Sequence, residues 1–249
     1  MAKSLSEWVA SDVQTGRSMS MRSLSENFFF RDPVRPQYTD ANYFFSPADG
    51  VILYQRIVSA DEPLVEIKGR DYTLQQALRK KNFNKRCLVI GIFMTTYDVH
   101  INRIPFPGTL TFEPLPTLQT LNRPMLELEE DLIRGHGFSA SAADYLFGNQ
   151  RTLNTVHAGP LGTEYYILQI ADYDVSAILT FDLRQPRPVF QTQRFSQIRF
   201  GSQVDLVVPL SDRFQFETLV PDNWHVEAGM DALIRISSHL DSNTSPKAS

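Results

Sequence analysis

A glycine–serine step interrupts a stretch of sequence that otherwise has the pattern of paired β-strands. Residues 193–209, QRFSQIRFGSQVDLVVP, alternate polar and apolar side chains and then become apolar. Gly201-Ser202 is the only Gly-Ser dipeptide in the chain. Glycine within a strand pattern typically marks a β-bulge or a close approach of two backbones. The stretch therefore predicts a sheet-rich body whose strand pattern is broken at residue 201.

Length and composition limit the classes of protein that fit this pattern. The 249 residues, 42% of them hydrophobic, allow one large domain with a true core. The net charge of −4 argues against a nucleic-acid partner, because such proteins usually present a basic face. The single cysteine, Cys87, excludes an internal disulfide framework and a cysteine-based zinc site. The five histidines show no metal-ligand spacing, so we expect no metal.

The longest apolar run, residues 87–94 (CLVIGIFM), is too short to cross a bilayer. The first 30 residues lack the continuous apolar core of a signal peptide. A single cysteine buried in an apolar run fits a reducing cytoplasm. These features predict a cytoplasmic protein, either soluble or peripheral to the membrane.

The chain divides into three parts. Residues 1–27 are rich in serine and mildly amphipathic around Trp8 and Val13, which predicts a helical extension packed on the body. A membrane-facing role for this extension is disfavoured, since it has no polybasic patch. Residues 28–236 hold the strand patterns, and the polar tail 237–249 is expected to fray.

The strand patterns predict an α+β fold with a mostly antiparallel, barrel-like or sandwich-like body and N-terminal helices. A short helix is predicted at residues 73–81 with Thr73 as its N-cap. Glu127, Glu129 and Glu130 are assigned to a solvated face of a helical or looped segment. The predicted strands cover residues 51–57, 87–94, 152–156, 164–171, 175–181, 198–209, 214–220 and 225–236.

Two polar segments stand out beside these strands. Asp49 precedes Gly50 before a strand, which on its own is ordinary turn chemistry. In an extended chain, Asp98, His100 and Asn102 share one face. A histidine beside an apolar strand with a nearby carboxylate is a candidate acid–base group, although most single histidines are structural.

Five segments in this order resemble the phosphatidylserine decarboxylase family, and the resemblance covers residues 28–236. The late VEAG at 226–229 is also similar to the family's C-terminal β-element. The matching segments are FFR at 29–31, SPADG at 46–50, IKG at 67–69, DVHINRIP at 98–105 with Gly108, and RFGS at 199–202 with VDL at 204–206.

The resemblance implies a self-cleaving enzyme. Ser202 attacks the Gly201 carbonyl, and the chain separates into residues 1–201 and 202–249, with the serine converted to a pyruvoyl group. The family uses a His-Asp pair for this step, so Asp49 carries over as the charge partner. The smaller fragment is expected to stay bound to the larger one through the sheet.

The resemblance also implies the substrate chemistry. The pyruvoyl carbonyl forms a Schiff base with the substrate amine and accepts the electrons left by departing CO₂. His100 is the candidate acid for reprotonation. The implied reaction converts phosphatidylserine to phosphatidylethanolamine, with a phospholipid substrate and peripheral membrane contact.

One departure from the family pattern leaves residue roles open. Many bacterial members carry a second histidine where this chain has Arg103, and the chain is closer to a branch with Asp-Val-His-x-Asn-Arg. His100 either serves both steps or shares them with another group such as His157. Arg103, with Asn102, is a candidate substrate contact, and a structural pairing of Arg103 with Asp98 is the alternative.

Two other functions are compatible with the sequence. The same chemistry on a soluble amine is one, because a fold does not fix specificity. An unprocessed, non-catalytic binding module is the other. A homo-oligomer is compatible with all three.

Overall fold

The computed structural model describes residues 1–115, 125–171, 177–199 and 201–239. In chain order the strands in these ranges are β1 (Lys3–Ser4), β2 (Tyr43–Phe45), β3 (Gly50–Val58), β4 (Pro63–Ile67), β5 (Arg70–Thr73), β6 (Cys87–Met94), β7 (Ile101–Arg103), β8 (Gly108–Leu115), β9 (Arg151–Ala158), β10 (Thr163–Ala171), β11 (Ile178–Thr180), β12 (Arg187–Val189), β13 (Arg194–Ile198), β14 (Ser202–Pro209), β15 (Phe214–Thr218), β16 (Trp224–Val226) and β17 (Ala232–Ser238).

The helices are short and concentrate at the N-terminus. In chain order they are α1 (Leu5–Trp8), α2 (Gln14–Arg17), α3 (Met21–Ser23), α4 (Leu74–Leu78), α5 (Leu126–Ile133) and α6 (Tyr145–Gly148). Wider π-helical turns follow α1 at Val9–Val13 and α3 at Leu24–Phe28, and single 3₁₀ turns lie at Ala140–Ala142 and Gly159–Leu161. Within the described ranges no helix is both long and apolar enough to cross a membrane.

A large antiparallel sheet forms the centre of the molecule. In the described part of the chain its strand order is β1-β16-β3-β6-β14-β10-β9-β8-β12. Strand β14 is central and pairs with β6 on one side and β10 on the other. Smaller sheets have the orders β11-β13-β7 and β15-β17-β2, and β4 pairs with β5. Since the large sheet ends at β1 and β12, the body is sandwich-like.

The central strands are buried on both faces, which explains their nearly continuous apolar sequence. One face of β6 and β14, including Ile92 and Val204, packs with side chains of the two three-stranded sheets. The other face, including Phe93 and Val207, packs beneath the helices and the β4–β5 hairpin. Each central strand thus contributes alternate residues to two cores.

The predicted fold class is confirmed: the body is α+β, mostly antiparallel, with helices at the N-terminus. The predicted apolar strand coincides with β6 (Cys87–Met94). Thr73 caps α4 with its side chain and with a reciprocal contact from Gln76, as in a capping box. Burial raises the pKa of Cys87 to about 12, which fits a packing role.

Three details differ from the sequence predictions or lie outside the described residues. Glu129 is not solvated: it is buried, and its Oε1 accepts hydrogen bonds from the Thr96 N–H and hydroxyl. Of the predicted strand at 175–181, residues 175 and 176 lie outside the described residues, and β11 covers Ile178–Thr180. Strand β17 continues to Ser238, so the tail begins later than predicted, and residues 240–249 are outside the described residues.

Candidate active site

Ser202 is the first residue of the central strand β14 and is fully buried. It pairs with Met94 at the end of β6 and with Ala171 at the end of β10. Its Oγ lies 3.3 Å from the Met94 sulfur. A thioether is a weak hydrogen-bond acceptor, so the hydroxyl is held without a strong partner among the described residues.

Asn102 is the second polar side chain at this sulfur. It lies on β7 and is fully buried, with its Nδ2 3.6 Å from the Met94 sulfur. Its Oδ1 accepts a hydrogen bond of 2.6 Å from Gln169 Nε2. The Gln169 Oε1 in turn accepts from Asn154, whose amide also donates to the Ile167 carbonyl. Because that carbonyl can only accept, the network fixes Nδ2 as the Asn102 atom that donates to the Met94 sulfur.

His100 is fully buried just before β7, beside the segment that leads to Ser202. Its Nδ1 lies 3.1 Å from the Ile198 carbonyl oxygen, and its Nε2 lies 2.9 Å from the Thr95 carbonyl oxygen. Phe29 stacks on the ring at a centroid distance of 4.0 Å. Burial lowers the pKa of His100 and outweighs the two carbonyls and the nearby carboxylates, which act in the opposite direction.

The contacts of His100 have a chemical consequence. A neutral imidazole has one N–H group, so only one of the two carbonyl oxygens receives a hydrogen bond. The other faces a nitrogen lone pair. Protonation would complete both hydrogen bonds, which offsets part of the cost of burying the charge, and His100 is therefore a neutral base that gains a second hydrogen bond when it takes up a proton.

Asp49 lies in the turn before β3 and pairs with an arginine. Its two oxygens accept hydrogen bonds of 2.6 and 2.7 Å from Arg35, and the Ala228 N–H donates to Oδ1 at 2.7 Å. Gly50 is required next to it: its φ is +148°, and a Cβ there would lie 2.1 Å from the Phe93 carbonyl oxygen. The fold thus holds the Asp49 carboxylate rigidly.

The sequence predicted that Asp49, His100 and Ser202 meet, and the structure brings them together only in part. Among the described residues no hydrogen bond joins any two of the three side chains. Asp49 acts on His100 through its charge, which favours the protonated ring.

Arg103 does not form the predicted alternative pair with Asp98. Its guanidinium donates to the Thr192 carbonyl at 3.0 Å and lies 3.8 Å from Asp32, and it is buried. Its Nε is buried without a hydrogen-bond partner among the described residues. A Cβ at Gly229 would lie 2.8 Å from the Arg103 Cδ, so this glycine makes room for the side chain.

His157 lies far from Ser202. His157 is exposed on β9. The β9 residue nearest to the level of Ser202 in the sheet is Arg151, and His157 lies six residues further along the strand. At about 3.3 Å per residue, this places it about 20 Å away along the strand. The expectation that His157 shares the chemistry is therefore not supported.

The N-terminal segment from residue 5 to 35, which we call the N-terminal strap, covers these groups. Phe29 stacks on His100, and Arg35 pairs with Asp49. A cleft of about 330 Å³ lies between the strap and the body. Its lining includes Trp8, Arg31, Arg35, Asp49, Asp98 and His225.

The stretch of sequence that builds this site, from the strap through Ser202 to β16, matches the profile of a known family. The profile of the phosphatidylserine decarboxylase family matches residues 27–233. The chain belongs to the phosphatidylserine decarboxylase family.

Individual family members give the same result. The chain is 30% identical over 182 residues to a phosphatidylserine decarboxylase proenzyme of Cereibacter sphaeroides, which covers 73% of this chain and 63% of the relative. A phosphatidylserine decarboxylase proenzyme of Chlorobium limicola is 28% identical over 212 residues, covering 84% of this chain and 77% of the relative. A putative archaetidylserine decarboxylase proenzyme of Methanocaldococcus jannaschii is 27% identical, with coverages of 73% and 77%. The match thus spans less than two thirds of the Cereibacter protein.

Sequence reasoning missed several residues of the candidate site in this member of the phosphatidylserine decarboxylase family. Met94 was assigned only to an apolar strand, and its position beside Ser202 follows from the register of β6 and β14. The partner of Asp49, Arg35, lies in the strap next to two prolines that predicted no more than a turn. His225 pairs with Asp98 across 127 residues, and no local pattern marks it. In each case the signal is a long-range contact.

Proposed function

We propose that this chain cleaves itself between Gly201 and Ser202 and then decarboxylates phosphatidylserine. The observation that carries the proposal is the state of Ser202, which is buried at the head of the central strand with its hydroxyl against a thioether. A buried hydroxyl against so weak an acceptor contributes little to the stability of the fold. Membership of the family supplies the reaction, and the relatives from Cereibacter sphaeroides and Chlorobium limicola are named as proenzymes.

In the first step, the Ser202 Oγ attacks the Gly201 carbonyl carbon, and the peptide bond becomes an ester with a free amine on residue 202. Elimination then releases the carboxylate of Gly201 and leaves dehydroalanine. Addition of water and loss of ammonia give the pyruvoyl group. Each stage needs a group that accepts or returns a proton.

His100 is our candidate for that group. It is neutral because burial lowers its pKa, and taking a proton gives it a second hydrogen bond to a carbonyl. The Asp49 charge favours the imidazolium that forms. The Nδ1 of His100 must exchange its contact with the Ile198 carbonyl for one with Ser202, and active-site hydrogen bonds commonly tighten only when the reacting groups engage.

Asn102 is our candidate hydrogen-bond donor beside the reacting bond. Its amide is fixed by Gln169, yet among the described residues it donates only to the Met94 sulfur. A buried N–H with such a weak acceptor is available to an oxygen that gains charge. Arg103 is already bound to Thr192 and lies near Asp32, which favours a structural role over a substrate contact.

The residues around Ser202 fit a small covalent group, since Met94 and Asn102 place no charge against it. When formed, a pyruvoyl group supplies an electrophilic carbonyl that takes up the electron pair left by CO₂. The protein residues exclude water from this position and hold a proton near it on His100.

A lipid substrate requires contact with a membrane surface, and the strap offers one. Phe30 and Val34 are 46% and 101% exposed, while Arg31 and Arg35 on the same strap point inward. Exposed apolar side chains of this kind insert into the interfacial region of a bilayer. We expect the variant Phe30→Ser/Val34→Ser to sediment less with phosphatidylserine vesicles than the wild type, and equal sedimentation would contradict this contact.

The activity is tested with phosphatidylserine that carries ¹⁴C in the serine carboxylate, in mixed detergent micelles. The wild type should release labelled CO₂, and Ser202→Ala should release none. Labelled free serine, run in parallel, tests the soluble-amine alternative. If labelled CO₂ is released from free serine and not from phosphatidylserine, the substrate is the soluble amine. If a cleaved wild type releases labelled CO₂ from neither compound, the proposed activity is contradicted.

A further inference from the structure

A buried histidine–carboxylate pair lies beside the turn that contacts His100. The His225 Nε2 lies 2.6 Å from the Asp98 Oδ1, and the side chains are 7% and 2% exposed. Burial opposes the charge on each group, but their attraction and hydrogen bond outweigh it. The pKa of Asp98 is consequently lowered and that of His225 is raised. The pairing thus favours the charged form of each group.

The Asp98 carboxylate closes a tight turn over residues 95–98. Its second oxygen, Oδ2, accepts hydrogen bonds from the Thr95 N–H at 2.7 Å and the Thr95 hydroxyl at 2.8 Å. The Asp98 N–H donates back to the Thr95 carbonyl at 3.0 Å. The same carbonyl oxygen lies 2.9 Å from the His100 Nε2. An unbroken path of contacts therefore runs from His225 through Asp98 and Thr95 to His100.

Two residues outside this turn hold its other members: Glu129 accepts from Thr96, and Arg31 donates to the carbonyls of Tyr97 and Asp98. Thr95 is held from within the turn, by the Asp98 carboxylate and by the Tyr97 N–H, which donates to the Thr95 hydroxyl at 3.2 Å. With two of these three hydrogen bonds, the Asp98 carboxylate does most to set the direction of the Thr95 carbonyl. With Oδ2 committed to Thr95, Oδ1 determines the side-chain rotation of Asp98, and its partner is His225.

His225 is well suited to fix another group. It lies on β16 within the large sheet, paired with Lys3 on one side and Val51 on the other. Trp8 stacks on its ring at a centroid distance of 5.0 Å and an interplanar angle of 10°. Residues on sheet strands with packed side chains orient their partners more rigidly than loop residues do.

We propose that His225 is a positioning residue for self-cleavage: by donating to Asp98 it fixes the 95–98 turn and so the ring of His100. This inference rests on the proposed function, because it concerns the same Gly201–Ser202 bond. His225 does not touch the reacting atoms. It acts through three successive contacts, to Asp98, from Asp98 to Thr95 and from Thr95 to His100, of which the first is a charge-assisted hydrogen bond.

The test compares three variants in cell-free translation, with labelled full-length chain followed over time on denaturing gels. His225→Leu removes the donor. His225→Gln keeps an amide N–H at a similar reach. Val226→Ala alters the next residue of β16, and the Val226 side chain packs in the other core. This variant therefore shows how much cleavage slows when β16 is weakened and the contact of His225 with Asp98 is kept. Melting temperatures are measured for each change in the Ser202→Ala chain, which cannot cleave.

We expect His225→Leu to cleave at least tenfold more slowly than wild type, and His225→Gln to cleave within threefold of it. Val226→Ala should cleave at the wild-type rate even when its melting temperature falls as far as that of His225→Leu. If the wild type cleaves and a folded His225→Leu cleaves as fast, this inference is overturned while the proposed function stands. If His225→Leu fails to fold, a folded His225→Gln that cleaves tenfold more slowly would overturn it too. A wild type that stays intact would overturn the proposed function, and this inference with it.

Discussion

The Asp49 carboxylate is neutralised by Arg35, and both side chains are buried, at 4% and 7% exposure. Two hydrogen bonds to Asp49 raise the pKa of Arg35 despite its burial, so the arginine stays charged. Removing one partner of a buried pair leaves the other charge unpaired, which is more costly than never burying the pair.

Asp49→Asn should therefore lower the free energy of unfolding by about 3–5 kcal/mol. The measurement is urea denaturation in the Ser202→Ala chain, so that a single uncleaved polypeptide unfolds. The matched control is Glu26→Gln, which removes the exposed pair of Glu26 with Arg22 and should leave the midpoint unchanged. An Asp49→Asn chain as stable as its parent would contradict the role of this pair.

Asp205 should make the free energy of unfolding depend on pH. Burial raises its pKa to about 6 from the usual 3.8, although Gln203 and Tyr54 donate hydrogen bonds to Oδ1. The Oδ2 atom has no hydrogen-bond partner among the described residues. Because the folded state binds this proton more tightly than the unfolded chain, the stabilisation is complete below pH 3.8 and is lost as the pH rises through about 6.

The variant Asp205→Asn should remove this dependence. Relative to its Ser202→Ala parent, the variant should gain about 3 kcal/mol in the free energy of unfolding between acidic and neutral pH. Denaturant titrations of both chains at a series of pH values measure the difference. A difference that stays constant with pH would show that Asp205 is not held in its protonated form by the fold.

At the scale of elements, the N-terminal strap decides how buried the site is. It places Phe29 on His100 and Trp8 on His225, and it ties Arg31 to the 95–98 turn. Since burial is the main cause of the lowered pKa of His100, the strap sets the basicity of that ring.

Phe29→Ala should accordingly raise the pKa of His100 towards 6.5, its ordinary value. The titration of the histidine ring signals by NMR in the Ser202→Ala chain measures this pKa. Phe30→Ala is the matched control, because its side chain is 46% exposed and should leave His100 unchanged. An unchanged His100 pKa in Phe29→Ala would contradict the role given to the strap.

Sequence patterns predicted the elements well because local physics decides them. Strand β6 is a continuous apolar run and α4 begins at a capping residue, so both could be predicted from neighbouring residues. The prediction that Glu129 lies on a solvated face was wrong because its partner, Thr96, is 33 residues away. The helix pattern alone cannot show that a carboxylate faces a turn from another part of the chain.

The sequence named residues of the candidate site, but it did not predict most of the contacts between them. Ser202, His100 and Asp49 were named from family motifs, and Asn102 proved to lie at the same sulfur as Ser202. The pairings of Asp49 with Arg35 and of Asp98 with His225 depend on how the strap and β16 dock on the large sheet. Such docking is a tertiary property that one sequence does not encode in any short pattern.

At the scale of the whole molecule, the position of β14 determines whether the two fragments stay together after cleavage. It pairs over eight residues with β6 and over six with β10, so the segment after residue 201 forms the middle of the large sheet. The later strands β16 and β17 also pair with strands that precede the cut. Cutting the bond before Ser202 therefore breaks the chain without separating the sheet.

The two fragments should consequently elute together in gel filtration under native conditions, at the volume of uncleaved Ser202→Ala. They should separate only in denaturant. Loss of the smaller fragment in native buffer would mean that β14 is not held in the sheet after cleavage.

The central claim is that this chain is a self-processing enzyme whose Ser202 is consumed in the cut. Intact mass under denaturing conditions, measured on the wild type and on Ser202→Ala, tests it most directly. We predict two wild-type fragments, residues 1–201 and 202–249, the smaller with a keto group in place of the serine amine, and one full-length mass for Ser202→Ala. A single uncleaved wild-type mass, both fresh and after long incubation, would contradict the claim.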